Sequence, residues 1–373
     1  MKYIDRTIRE NIESRLFEGK IIIIYGARQV GKTTLVKKIQ DKYEASIYLN
    51  CDEIDVRQAL QNKTSTELKE ALGSARLVII DEAQRVENIG VTLKLLVDNY
   101  RDIQIIATGS SSFELSNKIK EPLTGRKYEY YLFPLALEEL KSVYNNMEID
   151  RILESRMIYG MYPDIIKTND ITLLKSLADS YLYKDILQFQ NIKNPEILLR
   201  LLQALALRIG KEVSYNELAC LAGVDKNTVA NYMSILEKAF IIFRLQPFSR
   251  NLRNELKKMR KIYFYDLGIR NALINNFNPL NIRTDAGDIF ENYMIVERVK
   301  YNRNNNVDKN IFFWRTHQQK EIDYIEEGSG KINGYEFKLN RSKYTAPQEF
   351  LSAYENSRIE VINRDTYRKF VGL

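Results

Sequence analysis

Gly26-Ala27-Arg28-Gln29-Val30-Gly31-Lys32-Thr33 is the stretch that decides the fold, because it fits the phosphate-binding pattern G-x-x-x-x-G-K-[ST]. The apolar run Ile21–Tyr25 before it predicts a buried strand, and the apolar spacing over residues 34–39 predicts a helix. A glycine loop between a strand and a helix gathers backbone N–H groups at a helix amino terminus. We therefore predict that residues from Gly26 to Thr34 bind a nucleoside triphosphate, with catalytic Lys32 on the β- and γ-phosphates and Thr33 on Mg²⁺.

A second apolar run, residues 77–80, predicts a strand that ends in the adjacent acids Asp81 and Glu82. Ligands of open α/β sheets collect at the carboxyl ends of the strands, so both acids are expected beside the phosphate loop. We predict that Asp81 holds Mg²⁺, directly or through water, and that Glu82 polarises the attacking water. Paired acids at a strand end can also be a solvated turn, but the phosphate loop favours the catalytic interpretation.

Two further apolar runs, Ser46–Asn50 and residues 103–110, complete the pattern of strands alternating with helical stretches. This alternation predicts an α/β domain with a mostly parallel sheet covered on both faces. The hydroxyls of Thr108, Ser110 and Ser111 are candidates to sense the γ-phosphate. A plain polar loop would explain the same residues.

These motifs resemble the AAA-type branch of P-loop ATPases. More narrowly, they are similar to one prokaryotic family of these ATPases in which a winged helix and a domain similar to PD-(D/E)XK nucleases follow. The residues that carry the likeness are Gly26 to Thr34, Asp81-Glu82-Ala83-Gln84, Thr108-Gly109-Ser110, Leu123-Thr124-Gly125-Arg126 and Phe133-Pro134-Leu135. The resemblance implies a role for Arg126 near the nucleotide, as a sensor or as an arginine finger for a neighbour, although a surface arginine would look the same.

The resemblance spans nearly the whole chain and divides it into four segments. We expect a P-loop ATPase domain over 1–136, a helical segment over 137–194, a winged helix over 195–266 and a nuclease-like α/β domain, of restriction-endonuclease-like architecture, over 267–373. With 373 residues, 45% of them hydrophobic, the chain can build several cores and is not disordered.

Net charge and cysteine content indicate the kind of binding partner and the cellular compartment. The formal charge of +7 and the isoelectric point of about 9.0 favour a polyanionic partner. Cys51 and Cys220 show neither metal-ligand spacing nor a disulfide framework, which favours a reduced compartment. No apolar run approaches the roughly 18 residues of a membrane span. We expect a cytoplasmic protein without a membrane partner.

Residues 195–266 predict a compact helical domain of the DNA-binding kind, followed by two strands. Ser214 with Glu217 three residues on predicts a capping box, and Lys226, Asn227, Thr228 and Asn231 open the helix expected to meet DNA. A basic cluster lies between the strands, namely Arg250, Arg253, Lys257, Lys258, Arg260 and Lys261. The cluster would neutralise phosphates, but a winged helix can also serve packing alone.

The carboxyl-terminal part holds a second group of acids. Glu291 opens a helix, Asp323 lies in a strand, and alternation places Glu336 and Lys338 on one face of the next strand. Such acids would coordinate Mg²⁺ or Mn²⁺ for phosphodiester hydrolysis, with Lys338 positioning the water. The spacing of these residues alone is weak evidence for a nuclease site. The family resemblance strengthens that evidence, although nuclease-like domains can also be retained as binding modules without cleavage activity.

The sequence thus predicts an ATPase, dependent on ATP and Mg²⁺, that engages DNA through a winged helix and a nuclease-like domain. The alternative is a nucleotide-dependent switch that binds a protein partner and whose nuclease-like domain is inactive. The sequence leaves open whether the chain forms an oligomer.

Overall fold

The structure of the protein is a computed structural model that describes residues 3–109, 115, 119, 122–180, 192, 194–248, 260–316, 318–340 and 344–373. The chain divides into two compact units. We call Asp5–Pro134 together with Lys238–Phe240 the amino-terminal unit. The carboxyl-terminal unit comprises Met1–Ile4, Leu135–Glu237 and Ile241–Leu373. Among the described residues, no helix combines the length and the hydrophobicity needed to cross a bilayer.

The described residues of the amino-terminal unit form an α/β structure. Its strands are β1 (Ile21–Tyr25), β2 (Ser46–Asn50), β3 (Leu77–Asp81), β4 (Gln104–Gly109) and β5 (Lys127–Tyr131). Its helices are α1 (Ile8–Glu13), α2 (Lys32–Gln40), α3 (Ile54–Leu60), α4 (Ser65–Leu72) and α5 (Ile89–Asn99), with a 3₁₀ turn at Ala83–Arg85.

The five strands form one sheet in the order β2-β3-β4-β1-β5, and every neighbouring pair is parallel. All residues of β1 and β3 are buried, as expected for central strands of a parallel sheet covered on both faces. The predicted α/β class with a parallel sheet is confirmed. Strand β5 has no apolar run that would have indicated it, because it is a half-buried edge strand with charged Lys127 and Glu129.

The register brings the predicted nucleotide-binding residues to one edge of this sheet. Tyr25 at the end of β1 pairs with Gly109, Ile80 pairs with Ala107, and Asn50 pairs with Asp81. The phosphate loop after β1, the acids at the end of β3 and the end of β4 therefore meet at the carboxyl edge.

The carboxyl-terminal unit contains the remaining described elements. Its strands are β6 (Glu212–Val213), β7 (Ile242–Pro247), β8 (Arg260–Phe264), β9 (Asn310–Arg315), β10 (Glu321–Gly328), β11 (Lys331–Phe337) and β12 (Ser357–Ile362). Its helices are α6 (Leu137–Leu140), α7 (Asn146–Tyr159), α8 (Pro163–Thr168), α9 (Ile171–Ser180), α10 (Pro195–Leu207), α11 (Tyr215–Ala222), α12 (Lys226–Lys238), α13 (Leu267–Leu273), α14 (Ala286–Asn304), α15 (Gln348–Ala353) and α16 (Tyr367–Phe370), with a 3₁₀ turn at Leu280–Ile282.

One continuous sheet runs through this unit in the order β12-β11-β10-β9-β7-β8-β6. Strands β7 and β9 join its two halves by parallel pairing of Gln246 with Phe312 and of Pro247 with Phe313. The segments predicted over 195–266 and 267–373 therefore share a sheet instead of forming separate domains. Helix α14 packs against this sheet with Phe290 and Met294 fully buried.

A local capping hydrogen bond explains where helix α11 begins. The hydroxyl of Ser214 accepts a hydrogen bond of 3.1 Å from the backbone N–H of Glu217 at the start of α11. The carboxylate of Glu217 forms an ion pair with Arg208, whereas the predicted capping box would turn it back to the backbone of Ser214. Arg208, the C-cap residue of the preceding helix α10, thus competes for the side chain that would complete the box.

Candidate functional site

The phosphate loop turns from β1 into α2 by using its glycines. A Cβ on Gly26 would lie 2.3 Å from the carbonyl oxygen of Leu132, so only glycine fits there. Gly31 is the N-cap of α2 with φ 98°, and no described side chain caps the helix. The first-turn N–H groups are therefore directed toward the loop, as an anion requires. Lys32 is 5% exposed, and its ammonium donates bonds of 2.9 Å to the carbonyls of Gly26 and Ala27.

Asp81 is the centre of the hydrogen-bond network at this edge. Its Oδ2 accepts a bond of 2.6 Å from the hydroxyl of Thr33 and one of 2.5 Å from the phenol of Tyr48. Its Oδ1 accepts a bond from the hydroxyl of Thr108. Because the oxygens of Thr33 and Asp81 are in contact, one Mg²⁺ ion would reach both, and oxygen ligands are those that Mg²⁺ prefers. The residues present therefore fit a magnesium nucleotide.

Asp81 also affects the ionisation of its neighbours. Burial and the hydrogen bond to Asp81 raise the pKa of Tyr48 well above its usual value, so the phenol remains a donor at neutral pH. Burial, followed by the charge of Asp81, raises the pKa of the Cys51 thiol to about 12. The carboxylate of Asp81, which adds to the effect of burial in both cases, is only 2% exposed.

Glu82 follows in an unusual backbone conformation, with φ 53° in the left-handed region. Its N–H donates to the hydroxyl of Thr108 over 3.2 Å, and its Oε2 accepts a bond of 2.5 Å from the side-chain amide of Gln84. Strained non-glycine residues are concentrated at functional sites. Thr108, which is fully buried, thus bridges Asp81 and the backbone of Glu82.

Arg6, which lies outside the phosphate-binding motif, stabilises the phosphate loop by hydrogen bonds. Its guanidinium donates bonds of 2.8 Å to the carbonyl of Val30 and of 2.6 Å to the carbonyl of Phe133. Its side chain is buried, with 5% of the residue exposed. A charged donor at Val30 fixes the backbone just before Gly31, where the loop enters the helix.

The carboxyl-terminal unit holds a second polar cluster at the sheet. Glu291 projects from α14, Asp323 lies in β10 between Ile322 and Ile325, where the pairing register with β9 shifts, and Glu336 lies near the end of β11. Oδ2 of Asp323 accepts a bond of 3.0 Å from the N–H of Phe337. Lys338 donates a bond of 2.7 Å to Oε1 of Glu336, so both lie on one face as predicted.

A lysine that the motif does not include lies among these acids. Lys261 of β8 is 2% exposed, and its ammonium lies 3.2 Å from Oε1 of Glu291 and 3.4 Å from Oδ1 of Asp323. It also forms an ion pair with Glu321. The prediction that Lys261 contacts phosphates with the basic cluster is therefore wrong, because its side chain is buried in the sheet.

Burial controls the ionisation of this cluster. Burial, and then the charge of Asp323, raise the pKa of Glu291 to about 8 and that of Glu336 to about 7. Burial opposes the charge of Lys261, but the neighbouring acids hold the pKa of its ammonium well above the usual value. Within the described ranges, no group of three or more acidic, histidine or cysteine side chains is arranged to hold a metal ion. The structure brings Glu291, Asp323 and Glu336 to one place, and their role as metal ligands stays a prediction.

Comparison with known families and structures agrees with the geometry of the first site. Residues 18–141 match a family described as an AAA domain, and a Walker-type ATPase of Pyrococcus abyssi shares the fold. Its structure aligns over 73% of this chain and 96% of its own, with a TM-score of 0.52 and 17% sequence identity. These findings support an AAA-type P-loop ATPase domain over residues 18–141, and we call this segment the ATPase domain.

The rest of the chain matches families without a described function. Residues 150–280 and 286–368 match domains of unknown function, DUF8612 and DUF4143. An uncharacterised protein of Methanocaldococcus jannaschii is 26% identical over 350 residues, which cover 87% of this chain and 76% of that protein. An uncharacterised protein of Haemophilus influenzae is 23% identical over 356 residues, which cover 87% of this chain and 84% of that protein.

Arg126 lies away from the phosphate loop of the ATPase domain. Its carbonyl accepts a bond of 2.9 Å from the N–H of Ile21 at the start of β1, whereas the loop follows the other end of that strand. Its guanidinium donates a bond of 2.7 Å to Asp98 at the surface. The structure does not bring Arg126 to the nucleotide edge of its own domain. Its role as an arginine finger for a neighbouring chain stays a prediction.

Some predicted residues lie outside the described part of the chain, namely Ser110, Ser111, Arg250, Arg253, Lys257 and Lys258. The structure also adds site residues that sequence reasoning missed. Tyr48 and Arg6 contact the nucleotide edge of the ATPase domain, and Tyr263 donates a bond of 2.6 Å to Glu291 in the acidic cluster. No spacing rule links these residues to the motifs. Gln84, which donates to Glu82, could be expected at the site, because it follows Asp81 and Glu82 in one of the motifs that carry the family resemblance.

Proposed function

We propose that this chain binds ATP with Mg²⁺ and hydrolyses it to ADP and phosphate in its ATPase domain. One observation carries the proposal: the hydroxyl of Thr33 lies 2.6 Å from Oδ2 of Asp81, beside a buried ammonium on Lys32. An N-terminal helix turn, a lysine and a paired hydroxyl and carboxylate are the groups that a magnesium triphosphate requires.

Each residue has a distinct role in this proposal. The loop from Gly26 to Thr34 binds the phosphates through its backbone N–H groups, and Lys32 balances the charge on the β- and γ-phosphates. Thr33 and Asp81 supply oxygen ligands to Mg²⁺, which, when bound, neutralises the charge of the transferred phosphoryl group. Glu82 orients the attacking water through the carboxylate oxygen that Gln84 does not engage.

Two variants test binding and hydrolysis separately. Lys32→Ala should abolish ATP binding in titration calorimetry, because no other side chain of the loop supplies the ammonium. Glu82→Gln should retain ATP affinity but lower the hydrolysis rate by about 10²-fold or more, the usual contribution of a positioned base. Lys38→Ala, on the exposed face of α2, is the matched control and should leave both unchanged. Normal ATP binding by Lys32→Ala would contradict the proposal.

We further propose that the carboxyl-terminal unit engages DNA through residues 195–266 as a winged helix. The element order helix, strand, helix, helix, strand, strand supports this interpretation, as does the antiparallel pairing of β8 with both β6 and β7. Lys226, Asn227 and Asn231 at the start of α12 are exposed and available to a duplex. The carboxylate of Asp225 accepts bonds from the N–H groups of Asn227 and Thr228 and thus caps the same helix.

Fluorescence anisotropy with a labelled duplex over a salt series tests this proposal. Binding should weaken steeply as salt rises, because neutralised phosphates release counterions. Lys226→Glu should weaken binding by about tenfold or more, a typical cost of losing a charged contact. Lys175→Glu makes the same charge change on exposed α9 and should have a smaller effect. Equal losses in both variants would indicate a response to net charge alone.

A second candidate function is a nucleotide-dependent switch that binds a protein. Leu207 and Leu221, which are 69% and 59% exposed on α10 and α11, favour this candidate because such side chains suit a protein interface. Weak DNA binding that does not respond to salt would support the switch, whereas a steep salt dependence would support DNA engagement.

A further inference from the structure

The acidic cluster of the carboxyl-terminal unit already contains a cation from its own chain. The resemblance to PD-(D/E)XK nucleases assigns Glu291, Asp323 and Glu336 to Mg²⁺ or Mn²⁺. In the structure, the ammonium of Lys261 lies within 3.4 Å of both Glu291 and Asp323 and pairs with Glu321 as well. Two carboxylates that a metal ion would need, those of Glu291 and Asp323, are therefore already in contact with the lysine.

The position of Lys261 is fixed by the sheet. It lies in β8 between two strands, paired with Glu212 of β6 and with Leu245 of β7. Alternation turns its neighbour Arg260 to the opposite face, where the guanidinium lies 4.9 Å from the ring centre of Tyr215. The ammonium of Lys261 lies 5.8 Å from the ring centre of Phe313 in β9. Backbone pairing on both sides therefore fixes the face of β8 from which the Lys261 side chain projects toward the cluster.

We infer that Lys261 is the resident cation of this cluster and takes the place of the divalent metal ion that a nuclease of this architecture requires. A buried ammonium satisfies buried carboxylates in the same way as a metal ion, through several oxygen contacts. A divalent ion at the same oxygens would lie within a few ångströms of the ammonium, and two cations repel each other strongly in a buried site.

This inference has a functional consequence. Without a bound metal ion, the cluster lacks the metal-bound water that would supply hydroxide for phosphodiester cleavage. The carboxyl-terminal unit would therefore bind its partner without cutting it. The inference does not depend on ATP hydrolysis, because every group that it uses lies in the carboxyl-terminal unit.

One carboxylate oxygen of the cluster allows a direct test of the inference. Oε2 of Glu336 is buried and has no hydrogen-bond partner among the described residues. A metal ion admitted to the cluster would contact this oxygen together with Asp323. Asp323→Asn and Glu336→Gln therefore remove the two ligands on which any metal binding would depend, and each keeps the size of its side chain.

Binding of Mn²⁺ to the nucleotide-free full chain, followed by electron paramagnetic resonance, provides the first measurement. The wild type, Asp323→Asn and Glu336→Gln should bind the same number of Mn²⁺ ions, since the cluster binds none. One additional Mn²⁺ ion in the wild type, lost in both variants, would overturn the inference. The same three proteins should show no difference in Mn²⁺-dependent cleavage of DNA.

Lys261→Met provides the second measurement, because it removes the ammonium and keeps the length of the side chain. This variant should gain one Mn²⁺ ion that Asp323→Asn removes again, and Mn²⁺ should raise its melting temperature by several degrees. Arg260→Met, the adjacent change on the opposite face, should gain none. Failure of folded Lys261→Met to gain an ion would overturn the inference. If this variant does not fold, the comparison of the wild type with Asp323→Asn and Glu336→Gln still decides the question.

Discussion

The phenol of Tyr48 donates a hydrogen bond of 2.5 Å to Oδ2 of Asp81, the oxygen that also accepts from Thr33. Tyr48 lies in edge strand β2, and Asp81 ends the neighbouring strand β3. The bond orients the carboxylate toward the hydroxyl that would share Mg²⁺ with it. Tyr48 is thus a positioning residue that acts through Asp81.

Replacing this phenol should change the response to Mg²⁺ more than the response to ATP. Tyr48→Phe removes one donor from a carboxylate, a loss of about 1.5 to 3 kcal/mol for a bond to a charged group. We expect the Mg²⁺ concentration for half-maximal ATP hydrolysis to rise by about 10- to 150-fold. Tyr100→Phe, which removes a phenol that donates to the carbonyl of Ser65, is the control. An unchanged Mg²⁺ dependence in Tyr48→Phe would refute this role.

Arg6 should contribute to ATP affinity although it lies outside the motif. Arg6→Ala leaves the carbonyls of Val30 and Phe133 without their charged donor, so the loop before Gly31 loses its support. We expect titration calorimetry to show about tenfold weaker ATP binding, and Arg6→Lys to restore part of the loss. Arg9→Ala, which replaces a nearby arginine on helix α1 that pairs with Asp5, should bind ATP normally. Equal affinities in Arg6→Ala and Arg9→Ala would contradict the bracing role.

The two cysteines should differ in reactivity. Burial and the charge of Asp81 raise the pKa of Cys51 to about 12, so only about one thiol in ten thousand is ionised at pH 8. Cys220 is exposed on α11. We expect iodoacetamide to modify Cys220 within minutes and Cys51 only after unfolding in guanidinium, as peptide mass spectrometry would show. In Cys220→Ser, rapid modification of the folded chain would contradict the burial of Cys51.

Stability should fall at acidic pH through Asp285. Burial raises the pKa of Asp285, but the hydrogen bond from Arg283 and the charge of Arg270 outweigh burial and lower it to about 2. A lowered pKa stabilises the folded state above the unfolded value near 4, and this contribution disappears as the pH falls toward 2. The pH-dependent part amounts to about 2 kcal/mol.

Urea unfolding of the wild type and of Asp285→Asn between pH 2 and pH 6 measures this contribution. The free energies of unfolding should differ most above pH 4 and converge toward pH 2. Asp164→Asn replaces an exposed acid that pairs with Lys167, and it should follow the wild type throughout. A constant difference between the wild type and Asp285→Asn would show that Asp285 titrates normally.

The nucleotide-binding edge of the first sheet shows how much of a site local sequence patterns can predict. The glycines of the loop, Lys32, Asp81 and Glu82 could be predicted because each lies at a fixed position relative to an apolar strand. The parallel sheet then brings these strand ends together, as the order of strands and helices implies. Arg126 could not be placed in this way, because its position depends on edge strand β5, whose charged and half-buried residues give no clear period.

The acidic cluster shows the opposite case. Glu291, Asp323, Glu336 and Lys338 were predicted by their likeness to a motif, and the structure brings them together. The sequence assigned Lys261 to a basic surface, because a lysine beside a run of basic residues resembles its neighbours. Its burial depends on the inward face of β8 and on the joining of two half-sheets through β7 and β9.

By itself, the sequence determined the phosphate loop, the acids beside it and the α/β class, because those signals are carried by residues adjacent in the chain. Only the tertiary structure decided that Tyr48 orients Asp81, that Arg6 braces Val30 and that Lys261 lies among carboxylates. The partners in these contacts are separated by 33, 24 and 30 or more residues. Strand register and packing bring such partners together, and no local pattern of residues encodes them.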